Sequence, residues 1–415
     1  MSTSQQRHPG FVRAAGFTLI EIMIALLIGM IGIVVMMQTF AVSEGFKRTA
    51  TSGTDAQING GVGLYMLQRE LRMSGYGMNE LMLAGCQSVR VWNNVTGTGS
   101  NLFLVPFAIN PAGVPAGDAN TDVLMIAFGN SDSGVAAMGL SIPQGGGTDP
   151  TAPISLSSNN DSFQTGDIFV TVQPNGANPS CVLHEATGTT NVATNCGSSA
   201  PLPQVIFNTS AYQQHTPAGC VSTTPKYNRA TAITDSSGTP VPPLTSALGS
   251  AGGQVYNLGN PSVHVYAVRG GQLTMCDWIA ADCTTTAAFT PVVDDIVSMR
   301  AVYGMNLTPA VNAQAGDGVI VWNRNDLTTN VYLPSRVMAV TLEITARSAL
   351  KEKYNQAGVC ATTPSATRPD IVQDWIYQSM AGAGIDISAT TDWGCYRYKL
   401  FQTSVPLRNT IWRPN

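Results

Sequence analysis

The feature that most constrains this chain is an apolar run near its N-terminus that contains one carboxylate. The run extends from Phe17 to Val42, which is 26 residues. As helix it would measure about 39 Å at 1.5 Å per residue, which is enough to cross a bilayer. Glu21 is the one charged residue within it. Because a charge in the hydrocarbon layer is costly, we expect Glu21 to be functional.

The residues that flank this run indicate its orientation. Arg7 and Arg13 precede it, and the positive-inside rule therefore keeps the leader cytoplasmic and exports the remainder, although Lys47 and Arg48 weaken the signal. A cleaved secretory signal is the alternative, but it requires small residues after the run. The sequence at 40–44 is Phe-Ala-Val-Ser-Glu, which fits that pattern poorly.

The residues at the start of the run carry a resemblance. Gly16 followed by Phe17-Thr18-Leu19-Ile20-Glu21 resembles the leader site of type IV prepilins and of type II secretion pseudopilins. The resemblance implies that a prepilin peptidase cuts between Gly16 and Phe17 and methylates the new N-terminus. It also implies that Glu21 pairs with the terminal ammonium of a neighbouring subunit. The simpler alternative is a plain membrane anchor whose Glu21 reaches the headgroups.

Helical character continues beyond the apolar run. A helix from Phe17 to about Ser74 is expected, with a stop at 74–77 (Ser-Gly-Tyr-Gly) and a soft middle around Gly60. The stretch at 68–77 resembles the end of the stem in the PilW family of minor pilins. We therefore expect a leader at 1–16, a stem at 17–76 with a transmembrane part at 17–42, and a head at 77–415.

After the stem the apolar pattern changes to a period of two, which predicts strands. The expected fold is α+β and type IV pilin-like, with a long N-terminal helix on a mainly antiparallel β head. Buried strands are expected at 123–128 and 167–172, a hairpin at 263–276, and long loops or short edge strands in the stretches 129–160 and 185–262.

Two further strands are predicted to have one face in the core and one face in solvent. In the first, Met338, Val340, Leu342, Ile344 and Ala346 alternate with a more polar set at 337–345. In the second, the predicted core face comprises Val297, Met299, Ala301 and Tyr303, with Arg300 on the other side.

All eight cysteines follow the stem, and an exported head would oxidise them to as many as four disulfides. Local spacing favours Cys276 with Cys283 and Cys360 with Cys395. Cys181 and Cys196 are further candidates for disulfides. A metal site that combines Cys181, Cys196 and Cys220 with His184 and His215 is the alternative, but its spacing matches no C-x-x-C pattern.

Composition restricts the class of partner. Charged residues make up 11% of the chain, and loss of the leader with Arg7 and Arg13 leaves 19 basic against 25 acidic residues, a net charge of −6. That balance gives no support to nucleic-acid binding. Asp294 and Asp295 are expected to face solvent, and no arrangement of nucleophile and base is found. We therefore predict a protein that is not an enzyme and needs no metal or cofactor.

The C-terminal blocks at 302–304, 337–347, 396–401 and 405–409 are also similar to PilW proteins, although Met305-Asn306 departs from the acidic residue common there. The resemblance implies a minor pilin that moves from the inner membrane into the pilus, and a large head suits the tip. Implied partners are other minor pilins (PilV, PilX, PilE and FimU types), the major pilin, a PilY-family adhesin, prepilin peptidase and the inner-membrane assembly platform. The alternatives are a J-type pseudopilin, an adhesive module and an anchored enzyme.

Overall fold

A computed structural model gives the fold of the chain. It describes residues 16, 18–78, 86, 88–94, 97–131, 137–140, 153–157, 163–173, 180–189, 204–216, 218–229, 253–306, 320–323, 337–352, 354, 358–360, 362–367 and 385–411. Across these residues one long N-terminal helix is followed by β sheets, and the second half of the helix packs on the sheets. The architecture is the expected pilin-like α+β fold.

The long helix, α1, spans Leu19–Met73. Its 55 residues correspond to about 82 Å. It ends where the sequence predicts, because Gly75 and Gly77 adopt positive φ angles of 78° and 71° that other residues rarely tolerate. A second, four-residue helix, α2, spans Arg408–Ile411 near the C-terminus.

The described strands form three larger sheets and two small pairs, and all their pairings are antiparallel except a single parallel contact between the first and eighth strands. The strands are β1 Ser88–Asn93, β2 Thr98–Phe103, β3 Phe107–Ile109, β4 Leu124–Phe128, β5 Met138–Gly139, β6 Ile154–Ser155, β7 Ile168–Gln173, β8 Ser180–Glu185, β9 Gln204–Val205, β10 Tyr212–Thr216, β11 Gly219–Thr223, β12 Gln254–Gly259, β13 Ser262–Arg269, β14 Gln272–Asp277, β15 Thr290–Val293, β16 Ile296–Asn306, β17 Ile320–Asn323, β18 Val337–Arg347 and β19 Tyr398–Pro406.

A five-stranded sheet of order β15-β14-β13-β4-β3 lies in the middle of the head and is buried on both faces. In β4, Leu124 and Ile126 point into the core beneath α1, whereas Met125 and Ala127 point into the opposite core. Burial on both faces explains why β4 reads as an unbroken apolar run. The β13–β14 hairpin has the expected position, and Gly270 and Gly271 both have positive φ angles in its turn.

A six-stranded sheet of order β2-β1-β8-β7-β12-β5 covers the opposite core. In β7, Val170 faces the five-stranded sheet, whereas Phe169 faces a third core with Phe163 and Phe207. The expectation of loops or short edge strands at 185–262 is wrong for β12. This six-residue strand lies inside the sheet between β7 and β5, where Val255 and Leu258 are fully buried.

A four-stranded sheet of order β17-β16-β18-β19 lies directly beneath α1. Its β16 has a bulge between Ile296 and Ser298 that moves the expected core face. Ile296, instead of Val297, therefore joins Met299 in the core beneath α1. Val297 packs in a separate cluster on the other side with Ile387.

The expectation that one face of β18 meets solvent is wrong. Thr341, Glu343 and Thr345 on its polar face are at most 1% exposed. Glu343 lies opposite Arg300 in the register with β16, and Arg300 is itself buried against Asp122. Alternation of polar and apolar residues did not identify a solvent face, because opposite charges on neighbouring strands can be buried together.

Candidate assembly site and stem–head joint

The candidate assembly site is the start of α1, where a capping box fixes the backbone. Thr18 is the N-cap residue with an extended backbone, and its hydroxyl accepts a hydrogen bond from the Glu21 N–H at 3.4 Å. The Glu21 carboxylate accepts one from the Thr18 N–H, also at 3.4 Å. The carboxylate also accepts a hydrogen bond from the Thr18 hydroxyl at 3.4 Å, and because its two bonds to Thr18 are longer than the usual range, it can exchange them for a stronger partner at small cost. Gly16 is exposed, and Phe17 lies outside the described residues.

The helix beyond Glu21 presents apolar side chains on all sides. The most apolar 18-residue window of the segment Leu19–Lys47 has a mean hydropathy of 2.8 and contains no buried residue. Its length and composition are those of a helix that can cross a membrane. A fully apolar surface of this size needs lipid or other apolar helices around it, because exposure of such an area to water is strongly unfavourable.

The second half of α1 packs on the head through a narrow stripe. Ala56, Leu67 and Leu71 are fully buried there against the four- and five-stranded sheets. Gly60 allows closer approach, since a Cβ at that position would lie 2.0 Å from Cε2 of Phe401. A Cβ on Gly63 would be 3.2 Å from Cδ1 of Ile344. Glycines in this region were expected to weaken the helix. Two of them, Gly60 and Gly63, also allow it to pack closely on the sheet.

An ion pair crosses the joint between stem and head. The Glu70 carboxylate of α1 lies 2.8 Å from Nδ1 of His264 on β13, and both side chains are mostly buried. The hydrogen bond to Glu70 raises the pKa of His264 against an opposing effect of burial. Tyr266, two residues along β13, has its pKa raised by burial and by the same carboxylate. The Glu70 carboxylate of the stem therefore interacts with two side chains of the head, His264 and Tyr266.

The end of α1 is capped by the C-terminal segment. The last carbonyl groups of a helix have no partner within it. The side-chain amide of Asn409 donates to the carbonyl oxygens of Met73 and Ser74, each at 3.1 Å. The Ser74 hydroxyl donates to the Pro106 carbonyl at 2.6 Å, which joins the same helix end to the strand region. The Leu-Arg-Asn block near the C-terminus therefore has a structural role at the stem.

Disulfides tie the head together. The structure contains the pairs Cys276–Cys283 and Cys360–Cys395, which are the two that spacing favours. Cys181 is bonded to Cys86, so the segment after the stem is linked covalently to β8. Cys196 lies outside the described residues.

The metal alternative involves residues that the structure uses otherwise. Cys181 and Cys220 are both disulfide-bonded and are not free to act as thiolate ligands. The His184 ring packs against Phe169 and Phe207, and burial lowers its pKa to about 3. Among the residues that the structure describes, no group of three metal-binding side chains converges. His215 lies on β10, but its side chain is not among the described ones.

Two elements of the joint were not predicted from sequence. His264 had no neighbouring motif, and its partner Glu70 lies 194 residues away. Asn409 belongs to a block that the sequence identifies only by family resemblance, which gives no physical role for its side chain. Of the two adjacent carboxylates, Asp294 is exposed as expected, whereas Asp295 is half-buried and pairs with Arg347 at 3.2 Å.

Comparison with known families gives one match. Residues 12–37 match the prokaryotic N-terminal methylation motif. No curated protein and no solved structure matches the chain. The matched residues contain the leader site, the capping box and Glu21.

The fold and this match together define the class of protein. A methylation motif on an exposed apolar helix, with the second half of that helix packed on antiparallel sheets, is the arrangement of the type IV prepilin and pseudopilin superfamily. The chain is a type IV pilin- or pseudopilin-like protein. The motif implies processing by prepilin peptidase and passage through pilus or secretion machinery, from an inner-membrane form towards a filament.

Proposed function

We propose that the protein is a PilW-type minor pilin of the type IV pilus. It joins the filament with other minor pilins at or near the tip, primes assembly and presents a PilY-family adhesin. The observation that carries the proposal is the methylation motif on an apolar stem, with Glu21 at its start. The family-like blocks at 68–77 and 405–409 add support, because Asn409 of the second contacts the helix end that belongs to the first.

In this proposal Gly16 and Phe17 are the processing site, and Phe17 becomes the methylated N-terminus. Glu21 is then the fifth residue of the mature chain. Its carboxylate exchanges two weak bonds to Thr18 for the terminal ammonium of a neighbouring subunit. Two opposite charges buried together avoid the desolvation cost that each would suffer alone, so correct register of the stems is favoured.

Two substitutions separate the charge of Glu21 from its capping role. Glu21→Gln keeps an oxygen that can accept the Thr18 N–H but removes the charge, whereas Thr18→Ala removes the cap and keeps the charge. We expect Glu21→Gln to reduce incorporation into sheared pili at least tenfold and Thr18→Ala to change it less than threefold. The amount of protein in the membrane fraction is the control. Equal incorporation of Glu21→Gln and wild type would refute the assigned role.

A gene deletion distinguishes the pilus from the secretion system. Loss of surface pili and twitching, with normal export of secreted enzymes, is the expected result. Loss of secretion with intact twitching would instead assign the chain to the J-type pseudopilins. Normal pili that fail to bind a surface would favour an adhesive module carried on a pilin anchor.

A further inference from the structure

A cleft in the head, distant in sequence from the stem, has the features of a ligand site. It has a volume of about 390 Å³ and lies where the β13–β14 turn, the end of β18 and the segment 385–396 meet. We call it the Arg347 cleft, after one of the side chains that line it. Its volume falls in the range of about 300–1,000 Å³ that is usual for small-molecule sites.

Arg347 is held in place from two directions. Its Nε lies 3.2 Å from the Asp295 carboxylate, and its guanidinium carbon lies 4.8 Å from the centre of the Tyr396 ring. Within the described part of the chain its two terminal nitrogens have no hydrogen-bond acceptor, although the side chain is only 23% exposed. A guanidinium fixed in this way presents a planar fork whose geometry matches a carboxylate.

A second cation and two hydroxyl groups lie beside this fork. Lys351 is 5.9 Å from the same Tyr396 ring, and its ammonium contacts Asp392 at 2.5 Å. Thr390 and Thr391 also line the cleft. Donors from β18 and from the segments that follow it therefore line one cleft.

Acceptors line the same cleft. Asp118 accepts hydrogen bonds from the N–H groups of Gly270 and Gly271, each at 3.0 Å. Asp386 accepts from the side chain of Asn120 at 3.0 Å and from the Ser388 N–H at 2.9 Å. Carboxylate oxygens have two lone pairs each, so both groups can accept further hydrogen bonds from ligand hydroxyls. Because these carboxylates repel anions, a ligand with one anionic group and several hydroxyls suits the cleft better than a ligand with more anionic groups.

Covalent and packing contacts support the walls of the cleft. The Cys360–Cys395 disulfide anchors the residue next to Tyr396, and Ile387 and Val297 form a buried apolar floor. Three of the four described non-glycine residues with positive φ each hold one side chain that lines the cleft, namely Asn120, Asp295 and Asp392. Clustering of such uncommon backbone conformations around one cavity is a feature of ligand sites.

We propose that the Arg347 cleft binds a sugar that carries a single carboxylate. The Arg347 fork pairs with the carboxylate, Lys351 and Thr390 line the same cleft, and Asp118 and Asp386 accept hydrogen bonds from the sugar hydroxyls. A neutral sugar lacks the group that pairs with the fork, and a simple carboxylate lacks the hydroxyls that reach the acceptors. No residue of the stem takes part, so this proposal stands independently of the assembly role.

Titration calorimetry on the full-length protein in detergent tests the site. The probes are glucuronate, galacturonate and N-acetylneuraminate, with glucose and acetate as comparisons. We expect at least one acidic sugar to bind with a dissociation constant tenfold or more below those of glucose and acetate. Binding of no acidic sugar, or equal affinity for acetate, would overturn the proposal.

Variants test whether binding takes place in this cleft. Arg347→Lys keeps the charge but loses the planar fork, and we expect affinity to fall at least tenfold. Arg397→Lys is the matched control, because Arg397 pairs with Glu352 and does not line the cleft. Thr390→Val provides a second test with little risk to folding, and a fall of about threefold is expected. Unchanged affinity in both cleft variants would rule out this location.

Discussion

At the level of single residues, polar side chains connect the stem to the head at two points. Asn409 caps the end of α1, and His264 pairs with Glu70 in the last turn of the same helix. Neither contact follows from a local pattern, because each joins residues that are far apart in the sequence. Glu21 differs, since a charge inside an apolar run is visible from sequence alone. The sequence therefore identifies Glu21 as a functional charge. It does not identify the pair that Glu70 of the stem forms with His264 of the head.

The His264 contact predicts a pH dependence of stability. Its pKa is raised from 6.5 in the folded protein, so the folded state binds a proton more tightly than the unfolded state. The stabilisation is therefore complete below pH 6.5 and is lost as the pH rises through the raised pKa. We expect His264→Gln to lower stability by about 1–2 kcal/mol at pH 6 and by less at pH 8.

The measurement is the melting temperature against pH for the full-length protein in detergent. Glu70→Gln is the control, because it keeps a hydrogen-bond partner for His264 but removes the charge. Both variants should show a flatter profile than wild type between pH 6 and 8. Parallel profiles in all three proteins would show that the ion pair does not stabilise the joint.

At the level of elements, α1 was predicted closely, but its glycines were interpreted incompletely. Helix propensity indicates that each glycine weakens a helix, but it describes only the backbone of the helix itself and no contact with other elements. It cannot show that Gly60 faces the ring of Phe401, because that contact depends on the position of β19. Similarly, the bulge in β16 and the burial of both faces of β18 depend on neighbouring strands.

Two adjacent glycines provide a matched test of this interpretation. At Gly60 a methyl group would overlap Phe401, whereas at Gly61 it would meet nothing within 4 Å. Gly61→Ala should stabilise the protein by up to about 1 kcal/mol through helix propensity. Gly60→Ala should destabilise it by about 1–2 kcal/mol, because overpacking exceeds that gain. The measurement is the stability of both variants relative to wild type by thermal unfolding. Stabilisation by Gly60→Ala would contradict the contact between Gly60 and Phe401.

At the level of the whole molecule, one stem helix packs on a large head. The head consists of packed β sheets, and disulfides link its parts. The α+β class, the stem and the hairpin followed from periodicity and turn residues. The strand order did not follow from these signals. The sequence around β12 is weakly patterned, and yet β12 lies inside the six-stranded sheet. The pairing of Cys86 with Cys181 was equally hidden, since the two are 95 residues apart.

The disulfides should differ in their effect on stability. Loop-closure entropy predicts that Cys86–Cys181, with a separation of 95, contributes about 4–5 kcal/mol, against about 2–3 kcal/mol for Cys276–Cys283, with a separation of 7. Replacing both cysteines of the first pair by serine should therefore lower the melting temperature more than the same change in the second pair. Equal losses would indicate that loop length does not govern these bonds.

The central claim is that the chain is processed as a type IV prepilin. Mass spectrometry of the N-terminal peptide of the protein isolated from its own membranes or pili tests this directly. We expect a mature chain that begins at N-methylated Phe17, with residues 1–16 removed. An intact leader, or a chain cut after residue 42, would contradict the claim and the functional proposal that depends on it.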